Sequence, residues 1–342
     1  MKNIAIISIN RDGFRASLEL EKRLNEFNIT NFNREKEEKN YKKYSKLDEI
    51  MPSLFDFDAI VFFLATGIVI RKIAPFLKSK ETDPAILVID FKISKVIPLL
   101  SGHLGGANEL SEIICKRFDA VNFITTATDQ KKILAFDLFA KEHNYKIFNL
   151  DKLAKISNSL LNGEKIKIFS YRAIFEKIKR DKFYDENLFE FIDIFKIDRL
   201  DEKSVIISPC KVDTENLFLQ IQNISIGIGM NRGVSLEEVS NAVDRFIFEH
   251  NLNFNQIGSF NSFEAKKDEV ALLEYCQKHK IELNFFNETD INSLTQNFSK
   301  SKATEFFNIK GVAEPSSILS SIEKELFLNK HIYKNITIAS SF

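Results

Sequence analysis

Residues 98–110 read PLLSGHLGGANEL, and this stretch decides how the region around it folds. Its apolar start is typical of the end of a strand, and an apolar pattern with helical spacing begins at Ala107. Between them stand three of the chain's eleven glycines, Gly102, Gly105 and Gly106. Glycine adopts main-chain conformations that other residues avoid, so it is favoured in tight turns. The stretch therefore predicts a turn that leads from a strand into a helix.

The preceding segments show the same alternation of strands and helices. Ala59–Leu64 is an apolar run typical of a buried strand, and a helical pattern follows it. Ala85–Asp90 and Lys95–Leu99 predict two strands joined by a short turn, as in a hairpin. Such alternation favours a layered α/β domain, which we assign to residues 1–132, with functional loops at the ends of its strands.

Two further regions complete the predicted organisation. Residues 133–221 mix apolar with charged positions and contain one glycine, Gly163, which indicates a smaller middle module or connector. Residues 222–342 return to alternating strand and helix patterns. Within them Ser235 and Glu238 form a capping-box pattern, which predicts the start of a helix that reaches about His250. The expected fold class is α/β, with two α/β layered domains joined by the middle module.

Bulk composition excludes several classes of protein. Lys+Arg and Asp+Glu both number 48, so the formal net charge is zero and no basic field indicates a nucleic-acid partner. The three cysteines form no CxxC pair, so we expect buried thiols rather than a disulfide framework or a zinc site. No run approaches the ~18 apolar residues of a membrane span, and the apolar N-terminal run is too short for a signal peptide. We expect a cytoplasmic protein without a membrane partner.

The residues of the turn suit the binding and conversion of an anionic substrate. Ser101 and the three glycines precede a helix start, where main-chain amides and a partial positive charge favour carboxylate or phosphate. His103 lies in the turn and can move a proton near neutral pH. Asn108 and Glu109 fall in the first helical turn, where they could orient a substrate or a water. The alternative is a purely structural turn with a solvated histidine.

Three other junctions are candidate binding sites. Thr66 and Gly67 follow a strand, and Arg71 lies five residues further, where it could contact a carboxylate or occupy an outer helix face. The stretch 125–129, TTATD, contains Thr126 and Asp129 and could bind a ligand or cap a helix. The glycine-rich loop expected over 227–233 places Arg232 near a helix start, for anion contact or as a structural turn.

Several of these stretches, taken together, resemble the CbiG family, the cobalt-precorrin-5A hydrolases of the oxygen-independent cobalamin pathway. The resemblance is carried by ATGIVIRKIAPFLKSKETDPAILVID from Ala65, by IPLLSGHLGGANELSEII and by ITTATD, in family order and spacing. SIGIGMNRGVSLEEV, AKKDEVALLEY and GVAEPSSIL are similar to the family's C-terminal domain. The middle segment is similar by position alone.

The resemblance implies a hydrolase that acts on a polycarboxylated cobalt tetrapyrrole with a lactone on ring A. Water opens the lactone, and a methylated bridging carbon leaves as acetaldehyde. We expect His103 to act as general base or acid and Glu109 to orient it or the water. We expect Gly102, Gly105, Gly106 and Asn108 to hold developing negative charge. The remaining substrate contacts that we expect are Thr66, Gly67, Arg71, Ser101, Thr126, Asp129 and Arg232.

No cofactor and no protein metal site are expected, because the cobalt belongs to the substrate. The cobalt tetrapyrrole is the expected ligand, and neighbouring enzymes of the cobalamin pathway are candidate partners. A non-catalytic corrinoid carrier of the same pathway would use the same turns and arginines. A sugar-phosphate or nucleotide-binding protein is a third possibility, although the Walker and Rossmann glycine spacings are missing.

Overall fold

The computed structural model describes residues 1–79 and 82–342, with the main chain alone at Asp129. Main-chain contacts divide the chain into two compact units, residues 1–132 and 133–342. Within the described residues the first unit contains one seven-stranded sheet, and the second contains two sheets of five strands each. Helices alternate with the strands in both units, so the α/β fold class expected from the sequence is confirmed.

The first unit alternates strands and helices from its N-terminus. Its strands β4 and β5 are apolar throughout (AIVFF and AILVI) and buried throughout, as expected for strands covered on both faces of a parallel sheet. The elements are β1 Asn3–Ser8, α1 Arg11–Arg23, β2 Asn28–Asn33, β3 Tyr41–Lys43, α2 Leu47–Leu54, β4 Ala59–Phe63, α3 Thr66–Ile73, β5 Ala85–Ile89, β6 Lys95–Leu100, α4 Ala107–Phe118, β7 Val121–Asn122 and α5 Ala127–Lys131.

The direction of the strands in this sheet changes once. The spatial order is β3-β2-β1-β4-β5-β6-β7, and β1 to β5 run parallel to one another. The predicted hairpin is confirmed: β6 runs antiparallel to β5 after a five-residue connection, residues 90–94, and β7 runs parallel to β6. Helices α1 and α4 cover one face of the sheet, and α2 and α3 cover the other.

The second unit begins with a sheet of order β10-β9-β11-β12-β8. Three of its neighbouring pairs are parallel, and β8 pairs antiparallel with β12. The elements of this part are α6 Phe136–Glu142, β8 Lys146–Phe148, α7 Leu153–Leu161, β9 Ile166–Ser170, α8 Arg172–Lys179, β10 Phe189–Asp193, β11 Ser204–Ser208 and β12 Leu217–Gln220.

The rest of the second unit forms a sheet of order β15-β14-β13-β17-β16. One hydrophobic core includes residues of both sheets of this unit, among them Ile168 and Ile226. The elements are β13 Ile224–Met230, α9 Leu236–Glu249, β14 Ile257–Phe263, α10 Val270–His279, β15 Glu282–Phe286, α11 Glu288–Ser293, α12 Ala313–Ser320, β16 Leu326–Tyr333 and β17 Ile336–Ser341. The predicted capping box is confirmed, because Ser235 Oγ accepts from the Glu238 amide at 3.2 Å at the start of α9.

The glycine-rich stretch 227–233 differs from the expected loop. Gly227 and Gly229 lie inside β13, and the loop begins only after Met230. A Cβ on Gly227 would lie 2.8 Å from the main-chain nitrogen of Ser317 in α12, and a Cβ on Gly229 would lie 2.7 Å from Thr337 Oγ1. These two glycines therefore permit close packing of α12 and β17 against β13.

Candidate active site at the glycine turn

The glycine turn, residues 101–106, connects β6 to α4 as expected from the sequence. Its main chain is held by internal hydrogen bonds: the amide of Ala107 donates to the Ser101 carbonyl at 3.1 Å, and that of Asn108 donates to the Gly102 carbonyl at 3.0 Å. The first two amides of α4 are thus satisfied within the turn. A bound anion would have to meet other donors, such as side chains and the remaining amides of residues 102–105.

Each glycine of the turn has its own steric reason. Gly106 has a φ of +85°, in the left-handed region that favours glycine. A Cβ on Gly105 would lie 2.8 Å from the carbonyl oxygen of Ser101. A Cβ on Gly102 would lie 2.8 Å from Oδ1 of Asn108, so this glycine makes room for a side chain rather than for the main chain. The shape of the turn is therefore sufficient to explain the glycines of the GHLGG stretch.

Asn108 joins the glycine turn to the TTATD stretch. Its side chain is 9% exposed, and its Nδ2 lies 3.4 Å from Oγ1 of Thr126. Ser101 extends the cluster on the other side, since its Oγ donates to the main-chain carbonyl of Asp83 at 3.0 Å. Two stretches that are separated in sequence thus meet at one edge of the sheet: one follows β6, and the other follows β7, which runs parallel to it.

Thr128 is a polar residue of this edge that the sequence analysis did not select. It is 6% exposed, and its Oγ1 is buried without a hydrogen-bond partner in the described part of the chain. A buried hydroxyl usually has a partner, so this atom is a candidate for contact with a bound molecule. Its place between Thr126 and Asp129 in TTATD was the only signal available in the sequence.

The two residues expected to be catalytic lie on or beside the turn. His103 is half-buried within it, and Glu109 is exposed in the first turn of α4. A carboxylate at this position interacts favourably with the helix dipole. His103 and Glu109 are therefore placed at the same end of α4.

The side chain of Asp129 lies outside the described residues, and its main chain is in α5.

Thr66, Gly67 and Arg71 lie in α3, which follows β4 at the other edge of the sheet. Strand pairing aligns Leu100 with Ile86 and Ile86 with Ile60, near the start of β4, whereas α3 begins beyond its end. Along the strand direction, the starts of α3 and of the glycine turn are thus offset by about 16 Å, the length of a five-residue strand. Arg71 Nη1 donates to the Gly67 carbonyl at 3.0 Å. The structure does not bring these residues together with His103.

Three family models match the chain in succession. They are described as Cobalamin synthesis G N-terminal, over residues 49–129, Cobalamin biosynthesis central region, over residues 134–220, and Cobalamin synthesis G C-terminus, over residues 224–341. The chain belongs to the CbiG family. The glycine turn and the TTATD stretch of this CbiG chain both fall within the N-terminal match.

Relatives with curated names align with most of the CbiG chain. A protein from Priestia megaterium named cobalt-precorrin-5A hydrolase is 28% identical over 315 residues, which cover 89% of this chain and 84% of that protein. A protein of the same name from Salmonella typhimurium is 27% identical over 71% of this chain and 70% of its own length. A solved structure of a cobalamin biosynthesis protein G homolog from Sulfolobus solfataricus is 27% identical, covers 99% of this chain and 96% of that one, and has a TM-score of 0.41.

Arg232 of the CbiG chain lies in the second unit, in the loop between β13 and α9. Its Nη1 forms an ion pair with Asp268 at 2.8 Å, and its Nη2 donates to the Ala265 carbonyl at 2.8 Å. The buried carboxylate of Glu269 lies 3.6 Å away. The hydrogen bond and charge of Asp268 raise the pKa of Arg232. The guanidinium is thus held by local carboxylates, and a contact with substrate stays a prediction.

No group of three or more His, Cys, Asp or Glu side chains in residues 1–79 and 82–342 is arranged to hold a metal ion. No helix in the same ranges has the length and apolar character needed to cross a membrane.

The three cysteines are free, and burial raises the pKa of Cys210 and Cys276 to about 12, so neither thiol is suited to act as a nucleophile.

Proposed function

We propose that this CbiG chain is a cobalt-precorrin-5A hydrolase, which opens the ring A lactone and releases acetaldehyde to give cobalt-precorrin-5B. The observation that carries the proposal is the alignment of 89% of the chain with a relative of that name, across all three family segments. No cofactor is included, because the cobalt is part of the substrate. Other enzymes of the pathway remain candidate partners.

The reaction consumes one water. Its oxygen adds to the lactone carbonyl, and the carbon–oxygen bond of the ester breaks, which leaves a carboxylate on ring A and an oxygen on the bridging carbon. That oxygen becomes the aldehyde oxygen as the bond between the bridging carbon and the macrocycle breaks. The electron pair of the broken bond stays on the ring and takes up a proton. The enzyme therefore has to remove one proton, stabilise an oxyanion and return a proton.

The edge around the glycine turn offers groups for each of these steps. His103 moves the proton, as base towards water and as acid towards the ring, and Glu109 orients the imidazole or the water. The side-chain amide of Asn108 and the hydroxyl of Thr126 lie 3.4 Å apart at the same edge, where they can donate to an oxyanion. The further contacts of this proposal are Ser101, Gly102, Gly105, Gly106 and Asp129, and those of Thr66, Gly67, Arg71 and Arg232 stay predictions from the sequence.

An assay of acetaldehyde release tests the proposal. The purified chain is mixed with cobalt-precorrin-5A in water enriched in oxygen-18, and acetaldehyde is followed by its reduction with alcohol dehydrogenase and NADH. We expect stoichiometric acetaldehyde, with the label in the new carboxylate of the corrinoid product. Binding of the substrate without acetaldehyde would overturn the proposal and favour the corrinoid carrier.

A further inference from the structure

The second unit contains a cavity whose walls carry five lysines. The cavity has a volume of about 270 Å³ and lies where β13 and β14 end and β17 begins. The lysines are Lys266, Lys300, Lys302, Lys330 and Lys334. Among the described residues that line it there is no Asp or Glu. Since the whole chain has a formal net charge of zero, this lysine cavity concentrates positive charge at one place.

The lysines reach the cavity from separate parts of the chain. Lys266 follows β14, Lys300 and Lys302 lie in the segment before α12, Lys330 lies on β16, and Lys334 lies in the turn between β16 and β17. Such a convergence of like charges is unfavourable without a counter-charge. An arrangement of this kind is therefore more typical of a binding site for an anion than of a packing site.

Glu314 fixes part of this arrangement. This residue of the AEPSS stretch is 4% exposed, and its carboxylate accepts hydrogen bonds from the Ser299 amide at 2.6 Å and the Ser299 hydroxyl at 2.8 Å. It also accepts from the Lys330 amide at 3.0 Å. A buried carboxylate with three donors thus ties the segment that carries Lys300 to the strand that carries Lys330, and so positions both residues at the cavity.

The ammonium groups of the five lysines differ in whether they already contact an oxygen of the protein. Lys266 forms an ion pair with Glu269 at 3.1 Å, and the ammonium of Lys330 donates to the Lys300 carbonyl. Within residues 82–342, the ammonium groups of Lys300, Lys302 and Lys334 have no carboxylate at ion-pair distance. The charges of Lys300 and Lys302 are therefore available to a ligand, and that of Lys334 also acts on Glu238 at longer range.

The cavity also has an apolar wall. Met230, Phe263, Phe307 and Val312 line it beside the lysines. It lies at the carboxyl ends of the parallel strands β13 and β14, where open α/β sheets usually bind ligands. A flat, largely apolar ring with carboxylate arms matches such a combination of an apolar wall with surrounding ammonium groups.

We propose that the lysine cavity binds the carboxylate arms at one edge of an anionic tetrapyrrole. The nature of this ligand rests on the proposed function. The cavity is just below the range of about 300–1,000 Å³ that is usual for ligand pockets, so it accepts part of a macrocycle rather than the whole. The ligand class is a polycarboxylate on an apolar ring, and neither the metal nor the lactone is recognised here.

Binding of a stable probe tests this inference. The probe is cobyrinic acid, a cobalt corrinoid with carboxylate arms, measured by calorimetry at low ionic strength, and cobinamide, with amide arms, is its neutral-arm counterpart. The double variant Lys302→Glu/Lys334→Glu is expected to weaken cobyrinic acid binding roughly tenfold or more. Lys211→Glu/Lys278→Glu changes the net charge equally at exposed positions that do not line the cavity, and is expected to bind as the wild type does.

The results of this experiment distinguish a failure of the proposed ligand binding at the cavity from a failure of the proposed function. Equal binding by the cavity variant and the wild type, equal loss in both double variants, or equal affinity for cobinamide would overturn the inference. Displacement of the probe by inorganic phosphate at matched ionic strength, at concentrations comparable to that of the probe, would also overturn it, since the site would then bind any anion. Probe binding that depends on Lys302 and Lys334 supports the cavity even if the wild type releases no acetaldehyde, and that second result would overturn only the proposed function.

Discussion

The side-chain amide of Asn108 lies directly against the Cα of Gly102, so that a Cβ at this glycine would be 2.8 Å from Asn108 Oδ1. The obstacle is the end of a side chain, which can move. We expect Gly102→Ala to fold with a loss of about 1 kcal/mol or less, but to displace Asn108 from Thr126 and lower the rate of acetaldehyde release by roughly tenfold or more. Urea unfolding and the acetaldehyde assay, made on the same preparation, measure the two effects.

Gly105→Ala is the matched comparison for that variant. Its Cβ would meet the main-chain oxygen of Ser101 at 2.8 Å, and the main chain of the turn would have to shift. We expect a loss of about 1–3 kcal/mol in the free energy of unfolding, as for other overpacked sites. If Gly102→Ala proves the less stable of the two, or keeps full activity, the proposed part played by Asn108 is wrong.

His103→Ala tests proton transfer. Loss of a general acid or base typically lowers turnover by about 10²–10⁴-fold, and we expect a change of that size in kcat with KM nearly unchanged. His279→Ala, at the end of α10 in the second unit, serves as the control and is expected to keep its turnover. Unchanged acetaldehyde release from His103→Ala would remove this residue from the mechanism.

Gly227→Ala tests the close packing of α12 on β13. The new Cβ would lie 2.8 Å from the Ser317 nitrogen and closer still to the Ala313 carbonyl, both in the main chain of one helix. We expect a loss of about 3 kcal/mol or more. Gly163→Ala has no atom within 4 Å and only the strain of a φ of +76°, about 1 kcal/mol. Comparable unfolding curves for the two variants would contradict the packing argument.

The lowered pKa values of two histidines make the free energy of unfolding depend on pH. Burial lowers the pKa of His143, helped by the charge of Lys177, and burial lowers that of His250, helped by His331. Above about pH 6.5 these imidazoles are neutral in both the folded and unfolded states, and neither affects stability. Below it the unfolded chain binds protons first, so the free energy of unfolding falls until the pH passes the lower pKa of the folded state.

Phenylalanine at both positions removes that linkage. We expect His143→Phe/His250→Phe to lose less stability than the wild type between pH 7.5 and pH 5.5, as measured by urea unfolding. Each ring already lies beside a phenylalanine, Phe139 at 4.5 Å and Phe246 at 4.9 Å between centroids, so the substitution suits its surroundings. The same fall in stability in both proteins would show that other groups cause it.

Local structure was predictable because it depends on neighbouring residues. The glycine turn, the hairpin after Asp90 and the capping box at Ser235 each follow from side chains a few positions apart, and each was found. The position of Thr66 relative to His103 depends on which edge of the sheet each one occupies. The hairpin predicted from the sequence makes β6 antiparallel to β5, but the edge reached by the glycine turn also depends on the pairing of β5 with β4, which no local pattern records.

Other features depend on contacts that no local pattern records. Gly227 and a ligand-binding glycine look alike in sequence, because both replace a side chain with empty space. Only the position of Ala313 and Ser317 in α12 shows that a helix fills it. The five lysines of the cavity are spread over residues 266–334, and nothing in a chain with 48 basic residues distinguishes them before they converge.

The short connection at residues 90–94 has a consequence for protein engineering. Five residues can only reverse the polypeptide, whereas a crossover that keeps its direction needs about a dozen or more. A helix of that length grafted between Ile89 and Lys95 would allow β6 to pair in the opposite direction, which would carry the histidine motif to the edge occupied by Thr66. The activity of such a variant would show whether catalysis depends on the histidine motif itself or on the edge of the sheet at which the motif lies.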